Sequence, residues 1–305
     1  MKKLLLIYNP ASGKGTVRSR LSQVVEEFAA RDWQVTVWPT RGKGDATRVA
    51  QELGSGFDRV VCAGGDGTLS ETVAGLAELD APPELGYIPT GSTNDCAYNL
   101  HIPSTITKAA ALAAGDGEVS SLDVGRLNDR PFVYVAAFGA FTTVAYDTPQ
   151  QLKNSFGHMA YIAAGIGELA NLTPYRLRVE WGENLVEEDF LYGMVCNTYS
   201  VAGVRNVAGP RVALDDGRFE VLLVRKSVKL ADFAAALHAL MKGKSIDTPA
   251  VLTFETDRVT FTSQEGIPWT IDGENGGVHT QCQVTNQARA LRVIRGKTKQ
   301  AEKQG

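Results

Sequence analysis

The chain has 305 residues, 44% hydrophobic and 21% charged, with a net charge of −3 and a pI near 5.9. That length favours two cores over one, and the composition is that of a globular protein, outside the disordered and fibrous ranges. A slightly acidic chain sets up no field that would gather nucleic acid, so no nucleic-acid partner is expected.

The first apolar run ends at Asn9-Pro10, before it reaches signal-peptide length, and reads as a buried strand over 4–8. A helix is expected over 16–31, where Val17, Leu21, Val24, Val25 and Phe28 recur at helical spacing. A strand over 34–38, a helix over 45–53, a strand over 59–63, a helix over 68–79 and a strand over 85–88 follow. Such alternation predicts a parallel sheet covered by helices. Beyond about residue 122 the pattern turns to β-rich runs, at 131–138, 175–181, 191–196, 218–224 and 251–262, with helices only near 157–172 and 229–241. These predict a mainly antiparallel sandwich. The expected division is therefore an α/β domain over 1–122, a β-rich domain over 123–296 and a polar tail over 297–305. The most apolar later stretch, 156–172, is interrupted by His158 and Glu168 and falls short of the ~20 residues that span a bilayer. A soluble, cytoplasmic protein is expected. The four cysteines, Cys62, Cys96, Cys196 and Cys282, form no C-x-x-C pair, which argues against a zinc ribbon and leaves buried free thiols.

Three turns in the first domain each follow a strand and precede a helix: Asn9-Pro10-Ala11-Ser12-Gly13-Lys14-Gly15, Gly64-Gly65-Asp66-Gly67-Thr68 and Thr90-Gly91-Ser92-Thr93-Asn94-Asp95. In an open parallel sheet these share the carboxyl edge and should converge on one crevice. Glycine admits close approach to a ligand, and N–H groups at a helix start attract anions, so such turns suit phosphate. One turn alone is what any loop and N-cap needs. Three together, with the Asp66 carboxylate among glycines where it has little structural purpose, point to a phosphate site. The first turn is no Walker A loop, because Tyr8 stands where that motif requires glycine, and no G-x-G-x-x-G fingerprint is present. Read alone, Asp215-Asp216-Gly217 is a hairpin turn and Asp272-Gly273-Glu274 a solvated turn.

Asn9-Pro10-x-Ser12-Gly13, Gly64-Gly65-Asp66-Gly67-Thr68 with Glu71, and Gly91-x-Thr93-Asn94-Asp95 resemble the catalytic domain of diacylglycerol kinases. The second of these is shared with sphingosine kinases, NAD kinases and phosphofructokinases. Thr40 through Asp45-Ala46 resembles the family's second nucleotide-contacting turn. Pro210-x-x-x-x-Asp215-Asp216-Gly217 and Ile271-Asp272-Gly273-Glu274 carry the likeness across almost the whole chain, although Val204 and Val212 stand where the family commonly has glycine and alanine.

The resemblance implies ATP and magnesium as cofactors. It implies nucleotide contacts from the three turns, including Lys14, and from Thr40 and Glu71, with Asp66 and Asp95 beside the metal or nucleotide. Asp272 would be the general base, Glu274 would orient it or the metal, and Asp215 and Asp216 would hold a structural magnesium. The site would lie between the domains. The acceptor would be a lipid reached by transient contact with the membrane surface, and Phe132, Phe138, Phe141, Tyr146 and Phe156 are available to line a groove, though core packing accounts for most of them. A homodimer is compatible with the sequence. Two alternatives stay open: an NAD kinase, and a nucleotide- or lipid-binding module without chemistry.

Overall fold

The computed structural model describes residues 1–139, 173–198, 200–201, 204–205, 213–226 and 249–297. The helices expected over 157–172 and 229–241 lie outside the described residues, as do Phe141, Tyr146 and Phe156. The chain forms two compact units, one of Met1–Val124 with the C-terminal segment from Arg289, the other of Gly125–Ala288.

The first unit begins with β1 (Lys2–Tyr8), a 3-10 turn at Ser12–Gly15, α1 (Thr16–Ser19) and α2 (Leu21–Ala29). The single helix expected over 16–31 is thus two. Arg20 adopts φ −115°, ψ 12° between them and donates its N–H to Val17, three residues back, which tightens the turn and ends α1. Then come β2 (Trp33–Pro39), α3 (Asp45–Leu53), β3 (Arg59–Gly64), α4 (Asp66–Leu76) and β4 (Glu84–Pro89). Helix α4 starts two residues earlier than its periodicity suggested, directly after the N-cap Gly65. Two short helices, α5 (Asp95–Asn99) and α6 (Ile106–Ala111), lead to β5 (Glu118–Leu127).

Strands β1 to β4 are parallel in the order β2-β1-β3-β4, with Leu5 opposite Thr36 and Val60, and Val61 opposite Gly86. Leu4 to Ile7 and Val60 to Ala63 are fully buried, as continuous apolar strands must be when helices cover both faces. At the far end of the chain, Val293 pairs in parallel with Leu85, so the terminal segment adds to the β4 side of this sheet.

The second unit is antiparallel. It contains β6 (Arg130–Phe132), β7 (Val135–Gly139), β8 (Tyr175–Trp181) and β9 (Asn184–Cys196), the two-residue pair β10 (Ser200–Val201) and β11 (Val204–Arg205), then β12 (Phe219–Arg225), β13 (Val251–Thr256), β14 (Arg258–Ile271) and β15 (Glu274–Arg295), whose residues from Arg289 onward belong to the first unit. The run over 131–138 is two strands interrupted at Val133-Tyr134, and the run over 251–262 is divided at Asp257. Long strands β9 and β14 each pair with β8 along one stretch and with β7 along another. Both short strands thus lie between the long ones, around a core of Phe132, Phe138, Phe190, Phe219, Phe261 and Trp269. The Phe138 ring packs 4.9 Å from Trp269 and 5.8 Å from Phe261. Phe132 and Phe138 are therefore core residues, since each such ring removes ~150–250 Å² from water. All four cysteines are buried thiols, none of them disulfide-bonded. No helix among the described residues is long and apolar enough to cross a membrane.

Candidate active site

In the order β2-β1-β3-β4 the chain leaves β1 toward opposite sides, so the carboxyl ends of β1 and β3 frame the switch point where α/β sheets open a crevice. The first two glycine turns stand there and the third follows β4 beside them. The turns are bonded to one another. Asn9 donates its N–H to Ala63 O at 2.9 Å and its amide Nδ2 to Thr68 Oγ1 at 3.3 Å. Thr90 donates its N–H to Gly64 O at 2.8 Å and its hydroxyl to Ser12 Oγ at 3.0 Å.

Two glycine positions are dictated by this contact. A Cβ on Gly13, whose φ is +58°, would run into Thr90 O, and one on Gly91 would sit 2.8 Å from Gly65 Cα. Pro10 and Lys14 belong to the same first turn, whose Ala11 N–H is held by Asn9 Oδ1 at 2.9 Å. In the third turn Thr93 is exposed, whereas Asn94 takes φ 54° and closes the turn on Gly91 through two 2.8 Å bonds. The side chains of Asn9 and Asn94 thus brace backbone, and that of Ser12 meets the Thr90 hydroxyl. Peptide N–H groups and the start of α4 are what this edge offers a phosphate.

The acidic residues are placed by the same logic. Asp66, first residue of α4, accepts the N–H of Asp95 at 3.1 Å and of Cys96 at 3.3 Å, the opening residues of α5. The expectation that this carboxylate has little structural purpose is thereby corrected: it joins the second turn to the third. It also brings Asp66 and Asp95 together, and one or two carboxylates beside substrate phosphates are the usual protein share of a magnesium site. Glu71 accepts N–H groups from Gly44 at 2.8 Å and Ala46 at 3.3 Å, so it fixes the turn before α3. Thr40, at the start of that turn, donates its N–H to Tyr8 O at 2.9 Å and so stands at the end of β1. Beneath the turns, burial pushes the Cys62 thiol up to about 12, which leaves it protonated and unreactive.

In the second unit, Asp272 and Gly273 form a two-residue hairpin loop between β14 and β15, with φ of 50° and 80°. Positive φ at both positions is what the type I′ turn demands, hence Asp-Gly. Asp272 departs from a solvated turn, because its side chain is 5% exposed. One carboxylate oxygen accepts Val133 N–H at 2.7 Å, and the other accepts Tyr134 at 3.0 Å and Val135 at 3.1 Å. Three N–H donors from the break between β6 and β7 converge on this carboxylate. Glu274, by contrast, is exposed at the start of β15.

Asp215 is half-buried and Asp216 exposed, and Asp216 accepts the Arg218 N–H at 2.9 Å in a local turn. Among the described residues no group of three His, Cys, Asp or Glu side chains is placed to hold a metal. Magnesium needs less, because it keeps several waters and takes one or two carboxylates. Beside the loop, Asn197 is 2% exposed, donates Nδ2 to Leu214 O at 3.5 Å, and leaves its buried Oδ1 with no hydrogen-bond partner among the described residues. Two adjacent carboxylates and a buried orphan oxygen fit a hydrated cation. Asn197 was not singled out from sequence, since an asparagine 18 residues before the loop carries no motif. Pro210 and Val212 lie outside the described residues.

The family model for the diacylglycerol kinase catalytic domain matches residues 3–127, and the model for the YegS C-terminal NAD kinase beta sandwich-like domain matches residues 136–295. The chain is 34% identical over 300 residues to the diacylglycerol kinase of Bacillus subtilis, covering 98% of each chain. It is 33% identical over 277 residues to that of Staphylococcus carnosus, covering 90% of each. Among solved structures, a protein of Bacillus anthracis assigned as a diacylglycerol kinase superposes with a TM-score of 0.83 at 25% identity, covering 97% of both chains. A sequence likeness of that extent makes the chain a member of the diacylglycerol kinase family.

Proposed function

We propose that the protein is an ATP-dependent lipid kinase that transfers the γ-phosphoryl group of ATP to the free hydroxyl of diacylglycerol, yielding phosphatidic acid. The observation that carries this reading is the set of three glycine turns bonded to one another at the carboxyl edge around Asp66. Phosphoryl transfer asks a protein chiefly for positioning and charge neutralisation, and pre-braced peptide N–H groups supply both without reorganising.

The nucleotide domain would be 1–122 with the returning segment from Arg289, the acceptor domain 123–288, and 297–305 a tail. The turns that carry Pro10, Ser12, Gly13, Gly64, Gly65, Gly67, Thr68, Gly91 and Thr93 would lie against the phosphates, Pro10 shaping its turn without an N–H to donate, with Lys14 and Thr40 as further contacts. Asn9, Glu71 and Asn94 keep those peptides in place. Asp66 and Asp95 would hold magnesium with the nucleotide, and that ion supplies charge neutralisation across the phosphate oxygens. Asp215, Asp216 and Asn197 Oδ1 would hold a second, structural magnesium. Asp272 accepts the proton of the acceptor hydroxyl, its carboxylate held in one orientation by the 133–135 amides. Glu274 orients that base or the metal. The acceptor is met by transient contact with the membrane surface.

An ATP-consumption assay over a panel of acceptors tests the reading. Diacylglycerol, a sphingoid base and NAD are supplied in turn with magnesium. Turnover with diacylglycerol and none with NAD is expected, and turnover with NAD alone overturns the lipid assignment.

A further inference from the structure

Tyr87 lies on β4, its hydroxyl reaching the turn that carries Asp66 and the third turn, and no motif marks it. Its ring is 1% exposed. Its hydroxyl sits 3.2 Å from Gly64 O, in the second turn, and 3.4 Å from Asn94 Oδ1, in the third. Each of those oxygens already accepts a backbone N–H from the third turn: Gly64 O from Thr90 and Asn94 Oδ1 from Gly91, both at 2.8 Å. One phenolic proton therefore lies between the two acceptors that set how the third turn stands against the second. Phenylalanine would fill the same space and make neither bond.

We propose that Tyr87 is a positioning residue for the nucleotide, its hydroxyl fixing the Gly64–Gly65 turn against the Gly91–Asn94 turn so that their peptide groups meet the phosphates together. The proposal rests on the reading of these turns as the nucleotide site. Several observations support it. Burial raises the phenol well above its ordinary value, and the nearby Asp66 carboxylate adds to this, so Tyr87 stays a donor throughout the working pH range. The two turns also meet glycine to glycine, at Gly65 and Gly91, where neither residue has a side chain to set the spacing. Tyr87 touches the backbone that would carry the nucleotide and makes no contact expected of a catalytic residue, so its effect should fall on nucleotide affinity.

Tyr87→Phe tests this, with three readouts on the full-length chain: ATP affinity by titration, kcat and lipid KM at saturating ATP, and the melting temperature. Loss of a bond that aligns the turns should weaken ATP binding about three- to tenfold, with kcat at saturating ATP within about twofold and lipid KM unchanged. Amide exchange at 64–68 and 91–94 should quicken while the strands of the second unit keep their protection. Unchanged ATP affinity in Tyr87→Phe, when the unsubstituted protein binds ATP, overturns the role of Tyr87 alone. So does a fall in melting temperature with ATP affinity of the folded protein preserved, which marks a packing residue. An unsubstituted protein that binds no ATP overturns the nucleotide reading and this inference with it.

Discussion

Asp66→Ala should lower stability as well as abolish lipid phosphorylation, because the carboxylate has a bonding role in the fold. The substitution strands the N–H groups of Asp95 and Cys96, now 3.1 and 3.3 Å from its oxygens. A hydrogen bond to a charged group contributes roughly 1.5–3 kcal/mol, and these two are long and only half-buried, so about 2–3 kcal/mol together is the expected loss. Removing an acid from the first turn of α4 adds about 0.3–1 kcal/mol. At about 2–4 °C per kcal/mol for a chain of this class, the melting temperature should fall about 5–16 °C. Asp66→Asn keeps one acceptor oxygen and should lose about half as much. Calorimetry of the three proteins, alongside labelled-ATP transfer to lipid, measures both effects. A melting temperature within about 1 °C of the parent in Asp66→Ala would refute the bonding argument, and near-normal turnover would refute the placing of Asp66 at the nucleotide.

Asp272→Asn should cut the rate about 10²–10⁴-fold with ATP affinity kept, and should also destabilise by about 1–3 kcal/mol, since an amide NH2 would face the Val133 N–H now 2.7 Å from the carboxylate. Urea melts with single-turnover kinetics check it. Gly91→Ala should lower kcat/KM for ATP about tenfold or more by pushing the third turn off Gly65, and steady-state kinetics at varied ATP read this. Magnesium should raise the melting temperature of the parent and not of the Asp215→Ala, Asp216→Ala double variant, if that loop holds the ion. Burial pushes the Glu220 carboxyl up from 4.5 to about 8, with Asp216 and Glu255 adding to the shift. A carboxyl neutral in the folded chain and ionised in the unfolded one costs stability as pH rises from 4.5 to about 8, by less than about 1.4 kcal/mol per unit. Glu220→Gln should flatten that part of the stability curve, read by denaturant melts at several pH values.

The first unit was readable because buried parallel strands and amphipathic helices alternate in period as well as position. What escaped were features set by partners distant in sequence. Nothing in the periodicity of residues 16–31 marks Arg20 as the break, since Leu21 and Val24 continue the apolar face. The return of Val293 to Leu85 is a pairing across 208 residues that no local pattern announces. The convergence of the glycine turns on one sheet edge was legible, yet their side chains were not legible as braces, because Ser12 meets Thr90 and Asp66 meets Cys96 only after folding. Asp-Gly at 272–273 spells a hairpin turn in sequence. That its carboxylate is buried depends on three amides more than 130 residues earlier.

The central claim is most directly tested by following the γ-phosphate itself. With γ-labelled ATP, magnesium and diacylglycerol in mixed micelles, the full-length protein should place label in the organic extract as phosphatidic acid, and Asp66→Ala should place none there. Label recovered only as free phosphate or in an aqueous nucleotide product, with none in the lipid fraction, would contradict the account.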